Sequence, residues 1–195
     1  DEDIWYPDGD VVLEAQGHVF KVYQGLLALN SDVFRDLFAI AQPKAVETID
    51  GCPVVHLHDH PIELRHLLQV LFEYYPSDEQ LEFAVVAALI RLSHKYQIEW
   101  VCDAYLSRMK SCFCTDFKTW IAVYKNSGNS SMYFCGTDAI QAVNIARLTG
   151  TDSMLPSALF ICCQLDPYDL LHGSPRPDGT LERLRSRDIV HCINA

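Results

Sequence analysis

The 195-residue sequence combines 49% hydrophobic with 21% charged residues and has a formal net charge of -11. This length and apolar content suffice for a substantial core, and we expect one domain followed by a helical appendage. Lys and Arg number 15 against 26 acidic residues, which argues against binding to the phosphate backbone of nucleic acids. No apolar run approaches the length of a membrane span, and the acidic start lacks a signal-peptide pattern. We therefore expect neither membrane insertion nor secretion, and a cytoplasmic or nuclear location.

The first predicted feature is a strand hairpin that runs directly into two short helices. Residues 11–14 and 18–22 alternate in polarity around Gly17, which predicts a half-buried antiparallel pair with a tight turn. Ser31 then stands as the N-cap of a helix, and Phe34 and Phe38 belong to its apolar stripe. Such a strand and helix unit is typical of assembly rather than catalysis.

Further elements follow with clear spacing. Residues 54–58 form an extended run, and Pro61 opens a helix over residues 61–72 whose leucines share one face. Residues 86–113 predict a helix, a break and a second helix. The predicted order is strand, strand, helix, helix, strand, helix, helix, helix.

This order and two motifs resemble the BTB/POZ family. The first motif is an Asp before an apolar strand, then Phe-x-x-His and Leu-x-x-x-Ser-x-x-Phe, and its counterparts here are Asp10, Phe20, Tyr23, Leu27, Ser31 and Phe34. The second is the family's closing helix pair, matched by residues 89–106. Tyr23 replaces the usual His, and Gln24 stands where a basic residue is common. The resemblance covers residues 8–110 and implies an α+β fold in which a small sheet is flanked by helices.

The resemblance also implies a function, because BTB/POZ domains associate with proteins. We expect a homodimer formed through the first strand and helix, and a partner such as a cullin ubiquitin-ligase scaffold or a transcriptional co-regulator. A hydrophobic-x-Glu motif found in cullin-binding members has a weak counterpart in Ala45-Val46-Glu47. We expect no catalytic activity and no cofactor. The candidate contact residues are Trp5, Tyr6, Asp10, Phe38 and Glu47.

The domain boundaries expected from this resemblance are residues 8–113 for the BTB/POZ-like domain and 114–195 for a helical extension similar to that of uncharacterised fungal BTB proteins. Within the extension, Asp116 caps a helix with an aromatic stripe, and further helices begin near Asp138 and Asp152. Residues 167–179 are rich in Pro and Gly and predict a long loop. Helical spacing returns over residues 181–193 and runs close to Ala195, which predicts that the natural chain continues.

Histidine and cysteine residues are the candidates for a function other than protein interaction. Alternating His56, His58 and His60, with Asp59 among them, favour a histidine-rich zinc enzyme as the alternative function. The spacing does not match a metallo-hydrolase motif, and the apolar residues between the histidines explain the alternation as a strand with one face in a core. The eight cysteines include no CxxC pair, and we interpret those in apolar helical segments as small hydrophobes: Cys102, Cys112, Cys162 and Cys163.

The basic run Arg183-Leu-Arg-Ser-Arg187 is short, and Glu182 and Asp188 adjoin it. Because these acidic neighbours balance its charge, we do not expect the basic run to bind nucleic acid.

Overall fold

A computed structural model of the chain describes residues 4–39, 47–73 and 79–194. The strands are β1 (Val11–Ala15), β2 (His18–Val22), β3 (Thr48–Ile49), β4 (Cys52–Leu57), β5 (Leu81–Glu82), β6 (Met132–Tyr133), β7 (Ser174–Pro175) and β8 (Leu181–Glu182). The helices are α1 (Gln24–Asn30), α2 (Asp32–Ala39), α3 (Pro61–Phe72), α4 (Phe83–Lys95), α5 (Glu99–Cys112), α6 (Phe117–Lys125), α7 (Asp138–Thr149), α8 (Leu155–Cys162), α9 (Pro167–His172) and α10 (Ser186–Ile193), with a 3₁₀ turn at Asp152–Met154.

The chain divides into two compact units. The N-terminal unit falls within Asp1–Tyr75 and Leu92–Val101, and the C-terminal unit within Pro76–Arg91 and Cys102–Ala195. Both α4 and α5 contribute residues to each unit. Within the described ranges, no helix is long and apolar enough to cross a membrane.

The N-terminal unit contains a four-stranded sheet in the order β2-β1-β4-β3. The predicted hairpin is confirmed: β1 pairs antiparallel with β2, and Leu13 lies opposite Phe20. Gln16 and Gly17 have φ angles of 48° and 84°, as a two-residue turn of this twist requires. β1 also pairs in parallel with β4, so it is an inner strand of the sheet.

The expectation of a half-buried β1 is wrong. Val12, on the face that alternation assigned to solvent, is fully buried, as are Leu13 and Ala15 on the strand. Val12 belongs to a small apolar cluster with Cys52 and Val54, against which Trp5, Val19 and Ile49 pack. Both faces of β1 are therefore covered, as is common for an inner strand.

The predicted helices of the N-terminal unit are confirmed. The hydroxyl of Ser31 accepts a hydrogen bond from the backbone N–H of Phe34 at 3.1 Å and donates one to the carbonyl of Tyr96 at 2.5 Å. Phe34 is fully buried. Helix α3 has the predicted bounds, and Leu64, Leu67 and Leu68 are buried on it.

The predicted element order lacks two short strands. β3 pairs antiparallel with β4, and β5 pairs in parallel with β6. Each strand of two residues is too short to show an alternating pattern, so only the partner strand makes it recognisable.

The C-terminal unit is built around α7, which ends before Gly150 in the left-handed conformation. Ile140, Val143 and Ala146 are buried on it, together with residues of its other faces. The predicted loop over residues 167–179 instead contains α9 and β7. Asp166 caps α9 by accepting the backbone N–H of Tyr168 at 2.8 Å.

A polar network connects the last strands of the C-terminal unit to its helices. Arg91 donates to Glu182 and, at 2.9 Å, to Gln141, while Asn144 donates to Glu182 at 3.0 Å. Gln141 donates to Ser174 at 3.2 Å, which ties β7 to α7. These contacts explain why a segment rich in turn formers has a defined path.

Helical spacing predicted the wrong faces in the last part of the chain. On α6, Phe117 and Tyr124 are exposed, and Val123 is the buried residue. Residues 181–193 form β8 and α10 rather than one helix, with Leu181 and Ile193 exposed. Amphipathic spacing identifies an apolar face, but the tertiary structure decides what covers it.

Candidate interaction surface

Trp5 and Tyr6 anchor the N-terminal segment to the edge of the sheet. Trp5 forms a parallel bridge with Lys21, and the backbone N–H of Tyr6 donates to the Lys21 carbonyl at 3.0 Å. The ring of Tyr6 lies 5.3 Å from that of Tyr23 and 5.6 Å from that of Phe72. The side chains of both candidate residues are therefore already used within the fold.

Lys21 is a buried cation beneath this segment. Its side chain is only 6% exposed, and its ammonium donates to the carbonyl of Pro7 at 3.0 Å and to Asp50 at 3.3 Å. The ammonium also lies 5.9 Å from the centre of the Trp5 ring. These partners satisfy the charge, so Lys21 fixes the segment in place and does not offer a free cation.

Asp10 caps the first helix rather than lining an open pocket. Its carboxylate accepts the backbone N–H of Gln24 at 2.6 Å, where α1 begins without a side-chain cap of its own. Close by, the hydroxyl of Tyr23 donates to Asp8 at 2.5 Å, which raises the pKa of Tyr23 and lowers that of Asp8. Tyr23 stands at the position where the family usually has His, and its hydrogen bond to Asp8 adds a second contact at the start of α1 beside the cap by Asp10.

Phe38 and Glu47 lie in two other contacts. The ring of Phe38 stacks on Phe34 at 5.9 Å. Glu47 bonds to Nε2 of His56 at 3.0 Å, and Glu14 bonds to Nδ1 of the same ring at 2.6 Å. Hydrogen bonds to these carboxylates, first that to Glu14, raise the pKa of His56. Ala45 and Val46 lie outside the described residues, so only Glu47 of the predicted motif has a described environment.

The histidine-rich segment is not arranged as a metal centre. Asp59 is buried and accepts hydrogen bonds from the hydroxyl of Tyr96 and, at 2.6 Å, from the ammonium of Lys95. His56 has its two glutamate partners, while His58 is exposed directly after the end of β4. In the described ranges no three His, Cys, Asp or Glu side chains are placed to hold a metal ion.

A surface that the sequence did not single out combines α1 with the start of α5. Leu29 is 81% exposed and Trp100 is 52% exposed. The indole N–H of Trp100 donates to Asn30 at 3.0 Å, and Asn30 in turn donates to the carbonyl of Leu26 at 2.9 Å, which fixes the ring against α1. A cavity of about 440 Å³ is lined by Leu29, Asn30, Asp32, Gln97, Glu99 and Trp100. We call these six residues the Leu29–Trp100 surface.

This surface places two exposed apolar side chains, Leu29 and Trp100, among polar and charged residues. Asp32 pairs with Arg35 at 2.8 Å, and both side chains are largely exposed. Interfaces between proteins commonly place a large aromatic side chain among such polar rim residues. One signal in the sequence could have indicated it: α1 has seven residues and carries Leu26, Leu27 and Leu29, although two helical turns cannot bury all three on one face.

The small sheet, its flanking helices and the exposed Leu29–Trp100 surface are features of a protein-interaction domain. Among the described residues we find no catalytic constellation. A family model for the BTB/POZ domain matches residues 8–112, more than half of the chain. The chain belongs to the BTB/POZ family, and the expected α+β BTB fold is confirmed. BTB/POZ domains are protein–protein interaction modules and are not typically enzymes.

Two further comparisons complete this result. The chain is similar in structure to the BTB domain of zebrafish PATZ1, with 16% sequence identity and a TM-score of 0.41, over 52% of this chain and 75% of that one. No curated protein sequence matches the chain. The expected division at residue 113, with a helical extension over 114–195, stays a prediction.

Proposed function

We propose that the chain is a protein-interaction module that forms a homodimer through the Leu29–Trp100 surface and recruits a polypeptide partner. The exposure of Leu29 and Trp100 is the observation that carries this proposal. An isolated leucine that is 81% exposed is unremarkable, but here it lies beside a large exposed indole at the edge of a cavity. Burial of both side chains between two copies removes apolar area from water and favours association.

The charges at the rim suit a two-fold arrangement. In an isologous pair the same surface meets itself, so a self-complementary interface benefits from residues of both signs. Arg35 and Asp32 supply one of each sign, and Glu99 adds a further carboxylate on α5. A two-fold axis near Leu29 can place Arg35 of one copy against Glu99 of the other.

The oligomeric mass tests the dimer directly. Gel filtration with light scattering over a range of micromolar concentrations is expected to give twice 22.1 kDa for the unchanged chain. Leu29→Glu combined with Trp100→Ala is expected to shift the mass toward 22.1 kDa. Leu148→Glu, which alters a leucine that is 46% exposed on α7, serves as the matched control and is expected to keep the dimer. A monomer at every concentration of the unchanged chain contradicts the proposal.

The partner that we propose is a polypeptide in a reducing compartment of the cell, either cytoplasm or nucleus. All eight cysteines are free, which supports that setting. Cullin scaffolds and transcriptional co-regulators both satisfy the proposal. Titration of the purified chain with each class distinguishes them, and a cullin complex that weakens on Glu47→Ala supports the first. If neither class binds, partner recruitment of these two kinds is rejected, while the dimer is judged by its mass.

A further inference from the structure

The basic run that ends at Arg187 has a different charge balance in the folded chain than in the sequence. Glu182, its acidic neighbour on one side, turns to Arg91 and Asn144 within the polar network of the C-terminal unit. Asp188, its neighbour on the other side, is buried and pairs with Arg147 at 3.1 Å, with 4% of its side chain exposed. Both acids that balance the run in sequence are therefore engaged elsewhere.

Two arginines remain uncompensated beside a cavity. Arg185 and Arg187 are exposed, and neither side chain forms a hydrogen bond or ion pair with another residue in the part of the chain that the structure describes. A cavity of about 210 Å³ is lined by Arg147, Arg185, Arg187, Asp188 and His191. Since Arg147 and Asp188 neutralise each other, the lining carries two unmatched positive charges before His191 is counted.

We propose that this cavity, the α10 arginine pocket, binds a phosphorylated side chain of a polypeptide partner. A phosphate monoester carries about -1.5 to -2 charges at pH 7 and offers three strong acceptor oxygens, which matches two free guanidinium groups. A guanidinium donates to two oxygens of one phosphate in a planar fork, so arginine pairs recognise this group well. A single carboxylate supplies only half of the charge that the pocket leaves unmatched.

A polypeptide fits the pocket better than nucleic acid does. Arg187 and His191 are four residues apart and share a face of α10, and Val190, which is 54% exposed, adjoins them on it. An apolar side chain next to the phosphorylated residue can contact Val190. A nucleic acid presents many phosphates in a row, and most would meet a protein surface whose net charge is -11. This proposal does not depend on the dimer, because the pocket lies in the C-terminal unit and the Leu29–Trp100 surface in the N-terminal unit.

Fluorescence anisotropy on the full chain tests the pocket with three labelled probes at near-physiological salt. The probes are a short peptide with one phosphoserine next to a leucine, the same peptide with glutamate at that position, and a DNA duplex. We expect the phosphopeptide to bind at least about tenfold more tightly than the glutamate peptide and the duplex, since one charge-assisted hydrogen bond corresponds to roughly that factor. Inorganic phosphate is expected to compete with the phosphopeptide, which tests the site without any substitution.

The arginines are then removed by Arg185→Gln combined with Arg187→Gln. Both side chains are exposed and unpaired within the described chain, so the variant is expected to fold as the unchanged protein does, and its thermal melting curve checks this. The expected result is a loss of phosphopeptide affinity of at least about tenfold. Lys118→Gln with Lys125→Gln removes the same charge from exposed positions on α6 and is expected to change the affinity by less than about twofold.

Several results overturn the proposal. These are the absence of saturable phosphopeptide binding, equal affinity for the glutamate peptide, tighter binding of the duplex, and an equal effect of the arginine and lysine substitutions. The dimer mass of the arginine variant is expected to equal that of the unchanged chain, so failure of the pocket and failure of the proposed dimer are separate observations.

Discussion

Phe34→Ala tests the core on which the Leu29–Trp100 surface depends. Phe34 is fully buried, and its ring stacks on Tyr96 with the two centroids 4.3 Å apart and the planes 11° from parallel. Removal of a buried Phe side chain costs about 3 to 5 kcal/mol, of which the stacked pair accounts for about 0.5 to 1.5 kcal/mol. Because Ser31 bonds to the backbone of Phe34, the substitution leaves the cap of α2 in place. The loss is therefore expected from packing alone.

Urea unfolding followed by tryptophan fluorescence measures this loss. Trp5 and Trp100 lie in the N-terminal unit and Trp120 in the C-terminal unit, so a Trp120→Phe background makes the signal specific to the N-terminal unit. With a urea m-value of about 2 kcal/mol/M, the expected loss lowers the midpoint by about 1.5 to 2.5 M.

Ile62→Ala is the matched control, because Ile62 lies on α3 in the same unit and is 47% exposed. Its expected effect on stability is within about 0.5 kcal/mol, as for most surface substitutions. If Phe34→Ala changes stability by less than about 1 kcal/mol, the packing of α2 against Tyr96 described above is refuted.

Three further substitutions address polar contacts of the N-terminal unit. Ser31→Ala is expected to cost about 1 to 3 kcal/mol, because it removes the cap of α2 and leaves the buried carbonyl of Tyr96 without its donor. The same urea assay measures this loss. An unchanged stability contradicts the role of the Ser31 hydroxyl. Asp59→Ala is expected to cost about 1 to 3 kcal/mol, because it leaves the hydroxyl of Tyr96 without its acceptor, while the half-exposed ammonium of Lys95 regains water. In a separate measurement, zinc added to the unchanged chain is expected to leave its unfolding midpoint the same. His56→Gln is expected to destabilise the chain more at pH 5.5 than at pH 8.5. The pKa of His56 is raised in the folded state, so its contribution to stability is present below the unfolded pKa of about 6.5 and is lost as pH rises through the folded pKa. An equal loss of stability at both pH values would show that His56 is not held by Glu14 as an imidazolium.

The local elements of this protein follow from its sequence because their causes are local. The turn at Gly17, the cap at Ser31 and the bounds of α3 depend on neighbouring residues, and the sequence predicts each of them correctly. The family was likewise recognisable from the order and spacing of two motifs. The contacts of the five candidate residues with a second protein stay predictions, and each of these residues has a partner within the fold: Trp5, Tyr6, Asp10, Phe38 and Glu47.

Only the tertiary structure decided which apolar faces are covered and which charges are cancelled. Spacing placed Val12 at the surface and Phe117 on an apolar face, yet Val12 is buried between paired strands and Phe117 is exposed. In the same way, the sequence places Glu182 and Asp188 beside the run that contains Arg185 and Arg187, whereas in the fold Asp188 pairs with Arg147, which is 41 residues away. Burial and ion pairing depend on residues that are distant in the chain, and a local pattern contains no information about them.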